Sequence, residues 1–225
     1  MTVRKPIVAI DGPVGAGKTT TARTVASVLG FIYCDTGAMY RAVTLDVLGH
    51  GVDPVDEEAV TRVAAQSRVE IRVGDGGLRT VLNGIDVTDR IRGLDVTRAV
   101  SSVSAMRGVR ERMWTLQRHI GRYGGVVMEG RDIGTVVFPD AEYKIYLDAS
   151  VETRARRRYG ELRAKGVKIE FGDLKNEIVE RDRANMERAL APLRKAPDAV
   201  IIDTTDMTFD EQVEAIVTLV KGDGV

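Results

Sequence analysis

The chain alternates between short apolar runs and longer amphipathic ones. Ile7-Val8-Ala9-Ile10 is apolar and rich in β-branched side chains, and reads as a parallel strand buried on both faces. Across Lys18–Leu29, Ala22, Val25, Ala26 and Leu29 recur at i, i+3, i+4 and i+7, which predicts a helix that Gly30 ends. Phe31-Ile32-Tyr33-Cys34 predicts a second strand, so the chain opens with a βαβ unit and a right-handed crossover. Three further core strands are expected at Val126-Val127-Met128, Lys144-Ile145-Tyr146-Leu147 and Ala199-Val200-Ile201-Ile202. Helices are expected over residues 37–48, 57–66, 97–118, 151 to about 165, 174–189 and 209–220. Strands alternating with helices imply an α/β fold with a five-stranded parallel sheet and helices on both faces.

One stretch breaks this rhythm. Residues 69–73 and 78–82 alternate apolar and polar, and Asn83-Gly84 is a tight-turn dipeptide. Gly74-Asp75-Gly76-Gly77 is a further turn signal. Together they predict a small antiparallel β insert whose sequence carries no evident chemistry and which reads as a recognition or cover module.

Composition narrows the class. Of the 225 residues, 44% are hydrophobic, enough for a core, and 33 Lys plus Arg balance 33 Asp plus Glu. A zero net charge gives no footprint for nucleic acid or membrane, so any basic site must be local. The single cysteine, Cys34, forms no internal disulfide and reads as a small buried residue in a reducing compartment. No apolar stretch approaches the roughly 20 residues of a membrane span, and no signal-peptide core is read at the start. A cytoplasmic monomer is the expectation.

Gly12-Pro13-Val14-Gly15-Ala16-Gly17-Lys18-Thr19 fits G-x-x-x-x-G-K-[ST], directly after a predicted strand and directly before a predicted helix. Glycines let the backbone curl so that successive amides face phosphate oxygens, and the helix start adds its positive end. Lys18 supplies a mobile cation for the β- and γ-phosphates, and the Thr19 hydroxyl is a Mg²⁺ ligand candidate beside Thr20. The run predicts a P-loop NTPase fold binding ATP with Mg²⁺, without saying where the γ-phosphoryl goes.

The acceptor side rests on arginines. In Asp35-Thr36-Gly37-Ala38-Met39-Tyr40-Arg41, Thr36 is an N-cap candidate and Arg41, one turn on, can contact a phosphate; a capped surface helix with a solvated arginine explains the run as well. Glu129-Gly130-Arg131-Asp132-Ile133-Gly134 follows a core strand, where open α/β sheets bind ligands. There Arg131 can hold a phosphate and Asp132 an amino group, or the two can pair with each other. Between 154 and 194, twelve Lys and Arg face seven Asp and Glu. At helical spacing Arg154 and Arg158 share a face, as do Arg181 and Asn185, with Arg188 one step along. Such groups either close over transferring phosphates or form solvated helix faces. Many guanidiniums and no evident base suit a phosphate acceptor, which is already anionic, better than a hydroxyl.

Four runs resemble the bacterial cytidylate kinase family: Ile10 to Lys18, Asp35 to Arg41, Gly130 to Ala141 and Arg188-Ala189-Leu190-Ala191-Pro192-Leu193. The resemblance implies ATP-dependent phosphorylation of CMP and dCMP by a three-part enzyme. Its core would be about 1–37, 101–153 and 170–225, its monophosphate-binding region about 38–100, and its short helical lid about 154–169. It implies that Ser101, Arg110 and Asp132 read cytosine, and that Thr36, Tyr40, Arg41, Arg131 and Arg188 surround CMP and its phosphate. Arg181 and Asn185 would lie near ribose and phosphates, and Arg154, Arg157 and Arg158 would approach ATP from the lid. Val14, Thr36, Glu129 and Asn185 depart from the commoner residues of the family. A P-loop kinase for another small acceptor, such as UMP or a shikimate-like hydroxy acid, remains the alternative. A nucleotide switch or motor ATPase would want a Walker-B strand, of which Val126-Val127-Met128-Glu129 is a poor copy. Trp114, Met106 and Met113 read as core packing, and His50 and His119 receive no role.

Overall fold

The computed structural model describes residues 4–74, 77–164 and 166–222. The chain divides into two compact units, Met1–Cys34 with Gly121–Val225, and Asp35–Ile120. The second unit therefore takes in residues 101–120, which the sequence reading assigned to the core.

In the first unit the strands are β1 (Ile7–Asp11), β2 (Ile32–Asp35), β6 (Val126–Gly130), β7 (Tyr143–Asp148) and β8 (Val200–Asp203). They form one sheet in the order β2-β6-β1-β7-β8. β1 is central, pairing parallel to β6 with Asp11 opposite Gly130, and to β7 with Asp11 opposite Tyr146. Every residue of β1 and β6 is buried. Since alternate side chains point to opposite faces, both faces of the sheet are covered there. Burying Ile7, Val8 and Ile10, each 3% exposed or less, is worth roughly 1.5–3 kcal/mol apiece. Helix α1 (Lys18–Leu29) follows β1, buries Ala22, Val25 and Ala26 as the periodicity requires, and ends at Gly30 in the left-handed region. It packs on α8 (Phe209–Gly222), where Thr21 Oγ1 donates to Gln212 Oε1 at 3.3 Å. Helices α6 (Val151–Ala164) and α7 (Phe171–Glu187) pack on each other. The expected end of the basic helix at Lys165 lies outside the described residues.

The second unit holds α2 (Thr36–Gly49), α3 (Glu57–Gln66), α4 (Leu94–Ala105), α5 (Arg107–Gly121) up to its last residue, and an antiparallel sheet of β3 (Val69–Gly74), β4 (Gly77–Leu82) and β5 (Ile85–Asp86). The turn expected from Gly74 to Gly77 centres on residues 75 and 76, outside the described residues. The Asn83-Gly84 turn forms with φ of 51° and 87°, as a primed hairpin turn requires. Asn83 also anchors the hairpin, its Nδ2 donating to the Asp46 carboxylate of α2 at 3.2 Å.

Two local expectations are corrected. Thr36 is not the N-cap of α2: Asp35, extended at the end of β2, accepts from the Ala38 amide at 2.9 Å, and Thr36 is the first helical residue. The helix expected over 97–118 is two helices, broken at Met106, which is extended at φ −69°, ψ 136°. Val96, Val100 and Val103 form the buried stripe of α4, and continuing it would bury Arg107. Beyond the break Val109, Arg110, Met113 and Gln117 are buried, and Gly108 lies where a Cβ would come within 2.3 Å of Thr61.

Candidate functional site

The donor cradle begins where β1 ends. Gly12 has φ +152°, and a Cβ there would lie 2.0 Å from the Leu147 carbonyl oxygen, so the first glycine of the motif is required by its approach to β7. Gly17, at φ 89°, is the N-cap of α1, and no side chain caps the helix. The first-turn amides are thus presented as an anion site. Thr19 and Thr20 are exposed on that turn, and Thr20 Oγ1 donates to the Gly17 carbonyl at 3.0 Å. Lys18 is buried, its ammonium donating to the Pro13 carbonyl at 2.6 Å. Burial first, and then the Arg131 guanidinium, push its pKa down to about 7, against the pull of Glu129, Asp11 and Asp182.

Beside the cradle lies the loop after β6. Asp11, the last residue of β1, accepts from the amides of Ile133 at 2.9 Å and Gly134 at 2.8 Å. Its burial outweighs these bonds and pushes its pKa up to about 6. Arg131 donates to the Gly130 carbonyl at 3.0 Å. Asp132 is buried and pairs with Arg188 at 3.6 Å. Glu129 is buried and takes the Tyr33 hydroxyl at 2.5 Å.

Arg188 is not on the helix with Arg181 and Asn185. Helix α7 stops at Glu187, and Arg188 is extended, with ψ 140°. The chain then folds back through Ala191, at a left-handed φ of 49°, so that Leu193 donates to the Asn185 carbonyl at 2.8 Å and Arg188 Nε to the Ala191 carbonyl at 2.7 Å. A non-glycine residue at positive φ is strained backbone held by its surroundings. Here it aims a guanidinium at Asp132. On α7, burial and then Arg131 hold the Arg181 guanidinium below the usual arginine range, with Arg158 adding to it. Arg131 and Arg158 thus act on Arg181 as like charges, offset in part by Glu177 at 4.0 Å and by Asp182. Asn185 Nδ2 donates to the Arg181 carbonyl at 2.7 Å.

The lid arginines separate. Arg157 donates to the Thr204 hydroxyl at 3.0 Å and carbonyl at 2.6 Å. Arg158 pairs with Glu161 at 2.9 Å and Arg156 with Glu152 at 3.3 Å, so part of the basic run is a solvated helix face. Arg154, expected to reach ATP alongside Arg158, is buried instead. Its guanidinium is taken up by the Val14 and Ala149 carbonyls and by Asp182, because α6 packs its first turn against the cradle.

In the second unit, Arg110 is 1% exposed, donates to the Ser104 carbonyl at 2.9 Å, and lies over the rings of Tyr40 at 5.3 Å and Trp114 at 5.4 Å. Trp114 is therefore half-buried under a guanidinium rather than simply in the core, whereas Met113 is fully buried. Ser101 is exposed one turn before Ser104. Arg41 Nη1 donates to the Thr97 hydroxyl at 2.9 Å and the Ile91 carbonyl at 3.3 Å. Sequence reasoning missed Asp11, Asp182 and Thr97; the only signal for the first was a carboxylate directly before the Gly-rich run.

A glycine-capped amide cradle after the central strand, with a buried lysine inside it and an arginine cluster beside the next strand, defines a P-loop phosphotransferase. The sequence pattern of the family described as cytidylate kinase matches residues 8–222. A cytidylate kinase of Pelotomaculum thermopropionicum is 52% identical over 96% of this chain and 96% of its own length, and one of Geobacillus kaustophilus 51% over 97% of each. A solved structure, described as an uncharacterized protein from Eubacterium ventriosum, shares the fold with TM-score 0.50 at 12% identity, covering 98% of this chain and 100% of that one. The chain belongs to the cytidylate kinase family, and is accordingly a nucleoside monophosphate kinase.

Proposed function

We propose that this chain transfers the γ-phosphoryl of ATP to the phosphate of CMP and dCMP, forming CDP and dCDP. One P–O bond of ATP breaks and one forms to an oxygen of the acceptor phosphate, in line. The observation that carries the acceptor assignment is the grouping of Arg131 and Arg158 around the largely buried Arg181, with Arg188 paired to Asp132. Such a cluster is stabilised by a dianionic phosphate and by charge developing in transfer. Lys18 would neutralise the β- and γ-phosphates from within the cradle, and Arg157 would lie near ATP.

Arg110, Ser101 and Asp132 carry groups that suit cytosine: a guanidinium and a hydroxyl would donate to N3 and O2, and a carboxylate would accept from the 4-amino group. Uracil reverses that pattern at N3 and O4, which leaves polar groups unpaired and disfavours UMP. Arg41, with Thr36 and Tyr40, would serve the CMP phosphate, and Asn185 the ribose. Mg²⁺ fits the donor site: Thr19 is an exposed hydroxyl on the first turn of α1, and Mg²⁺ usually takes one or two protein ligands with phosphates and waters. When bound, with Thr19 as its protein ligand, it would supply positive charge against the phosphates. Among the described residues no helix is long and apolar enough to cross a membrane, and the reading is of a cytoplasmic enzyme.

The test is a coupled ADP-release assay with CMP, dCMP, UMP, AMP, dTMP and shikimate. Turnover with the two cytosine nucleotides well above the rest is expected. Preference for another acceptor, or equal ATP turnover with none, would overturn the assignment.

A further inference from the structure

Val14, in the middle of the phosphate cradle, is gripped on both sides of its backbone. Its amide donates to Asp182 Oδ1 at 2.9 Å, and its carbonyl accepts from Arg154 Nη1 at 2.8 Å. The same Nη1 donates to Asp182 Oδ2, and Arg154 Nε donates to the Ala149 carbonyl, just past β7, at 2.9 Å. Both side chains are more than nine-tenths buried, at 6% and 9% exposure. Gly15 makes room for this: at φ +78°, a Cβ there would come within 3.2 Å of Arg154 Cβ and 3.3 Å of its carbonyl oxygen.

A buried ion pair of this kind is costly to desolvate and a poor device for stability alone. Nor is it needed to join α6 to α7. Ala155, Leu174 and Ile178 form a core between them, Tyr159 and Phe171 stack edge to face at 5.6 Å, and Lys175 pairs with Glu152 at 2.9 Å. What the buried pair does that these contacts do not is hold one peptide of the cradle. A bare carboxylate beside a loop built for a polyphosphate would repel it, and Arg154 removes that charge while adding the second grip.

We propose that Asp182 and Arg154 are positioning residues for the donor: they fix the Val14 peptide, and through it set the direction of the amides that follow in the cradle. They act on ATP through the loop and touch neither phosphate. This inference rests on the reading of the cradle as the ATP site. It predicts a defect confined to one substrate.

Steady-state kinetics of Asp182→Ala, Asp182→Asn and Arg154→Lys test it. Losing a hydrogen bond to a charged partner should raise the KM for ATP about tenfold or more in Asp182→Ala, with the KM for CMP within about twofold. Asp182→Asn keeps an acceptor for the Val14 amide and should recover most of that loss. Should Asp182→Ala fail to fold, Arg154→Lys keeps the buried charge, yet its one nitrogen cannot reproduce the separate positions of Nε at the Ala149 carbonyl and Nη1 at the Val14 carbonyl and Asp182. It should raise the KM for ATP alone, and hydrogen exchange at the Val14 amide should quicken. Parallel rises in both KM values, or a lowered melting temperature with both unchanged, would overturn the clamp while leaving turnover of CMP, and so the enzyme's assignment, intact. Failure of the unmodified enzyme to bind ATP would instead remove the reading beneath it.

Discussion

The carboxylate of Asp11 accepts the amide of Gly134 at 2.8 Å, so the residue that ends the strand into the donor cradle also fixes the loop carrying Arg131 and Asp132. The same carboxylate takes the Ile133 amide at 2.9 Å. Removing it frees two buried amides on the acceptor side. Asp11→Ala is expected to raise the KM for CMP about tenfold or more, since bonds to charged groups are worth roughly 1.5–3 kcal/mol each. Its effect on the KM for ATP should be smaller. Steady-state kinetics with each substrate varied would check this, and a larger ATP effect would contradict it.

ATP binding should take up a proton. In the free protein Lys18 titrates near 7, because burial and Arg131 disfavour its charge. A bound triphosphate favours the ammonium and raises that pKa. Affinity for ATP should therefore fall as pH rises above about 7. Calorimetry at pH 8 in two buffers of different ionisation heats should show net uptake, and heats that are the same in both would refute the linkage.

Lys18→Met should abolish transfer yet stabilise the nucleotide-free protein. A base whose folded pKa lies below its unfolded value of 10.5 costs stability fully below about 7, and the cost fades as pH rises toward 10.5. Removing the charge should raise the melting temperature at pH 7 by about 2–4 °C per kcal/mol recovered, with the gain shrinking toward pH 10. A lower melting temperature at pH 7 would argue that the compensating carboxylates Glu129, Asp11 and Asp182 win instead.

Arg131→Ala and Asp132→Ala should both weaken use of CMP by about tenfold or more while the KM for ATP stays within about twofold. Asp132→Ala should also cost stability, because it removes a buried carboxylate 3.6 Å from the nearly buried Arg188 guanidinium. Equal loss of ATP binding in both variants would break the division between donor and acceptor residues.

Asp35→Ala removes the cap from α2. Losing the bond to the Ala38 amide at 2.9 Å should cost about 1 kcal/mol, read as a lower midpoint in urea. Thr36→Ala should cost less if Asp35 alone caps the helix.

Where the controlling contacts were short-range in sequence, the sequence sufficed. β-branched runs placed all five core strands, and the Asn83-Gly84 dipeptide placed its hairpin, because each depends on a few consecutive residues. The cradle was legible for the same reason: a glycine N-cap and a following helix are one continuous segment. The helix break at Met106 was not, since helical periodicity continues on either side of it and only the extended backbone of that one residue marks it.

The sequence by itself thus determined a parallel sheet, its phosphate loop and a surplus of arginines. Only the tertiary structure decided which arginine does what. Arg154 turned inward to Val14 and Asp182, Arg188 lies past the end of α7 beside Asp132, and Asp11 reaches from the end of β1 to the loop after β6. The physical reason is that a buried charge takes the partner that the fold brings within hydrogen-bonding reach. The parallel sheet brings together strand ends more than a hundred residues apart, a proximity that sequence spacing does not encode.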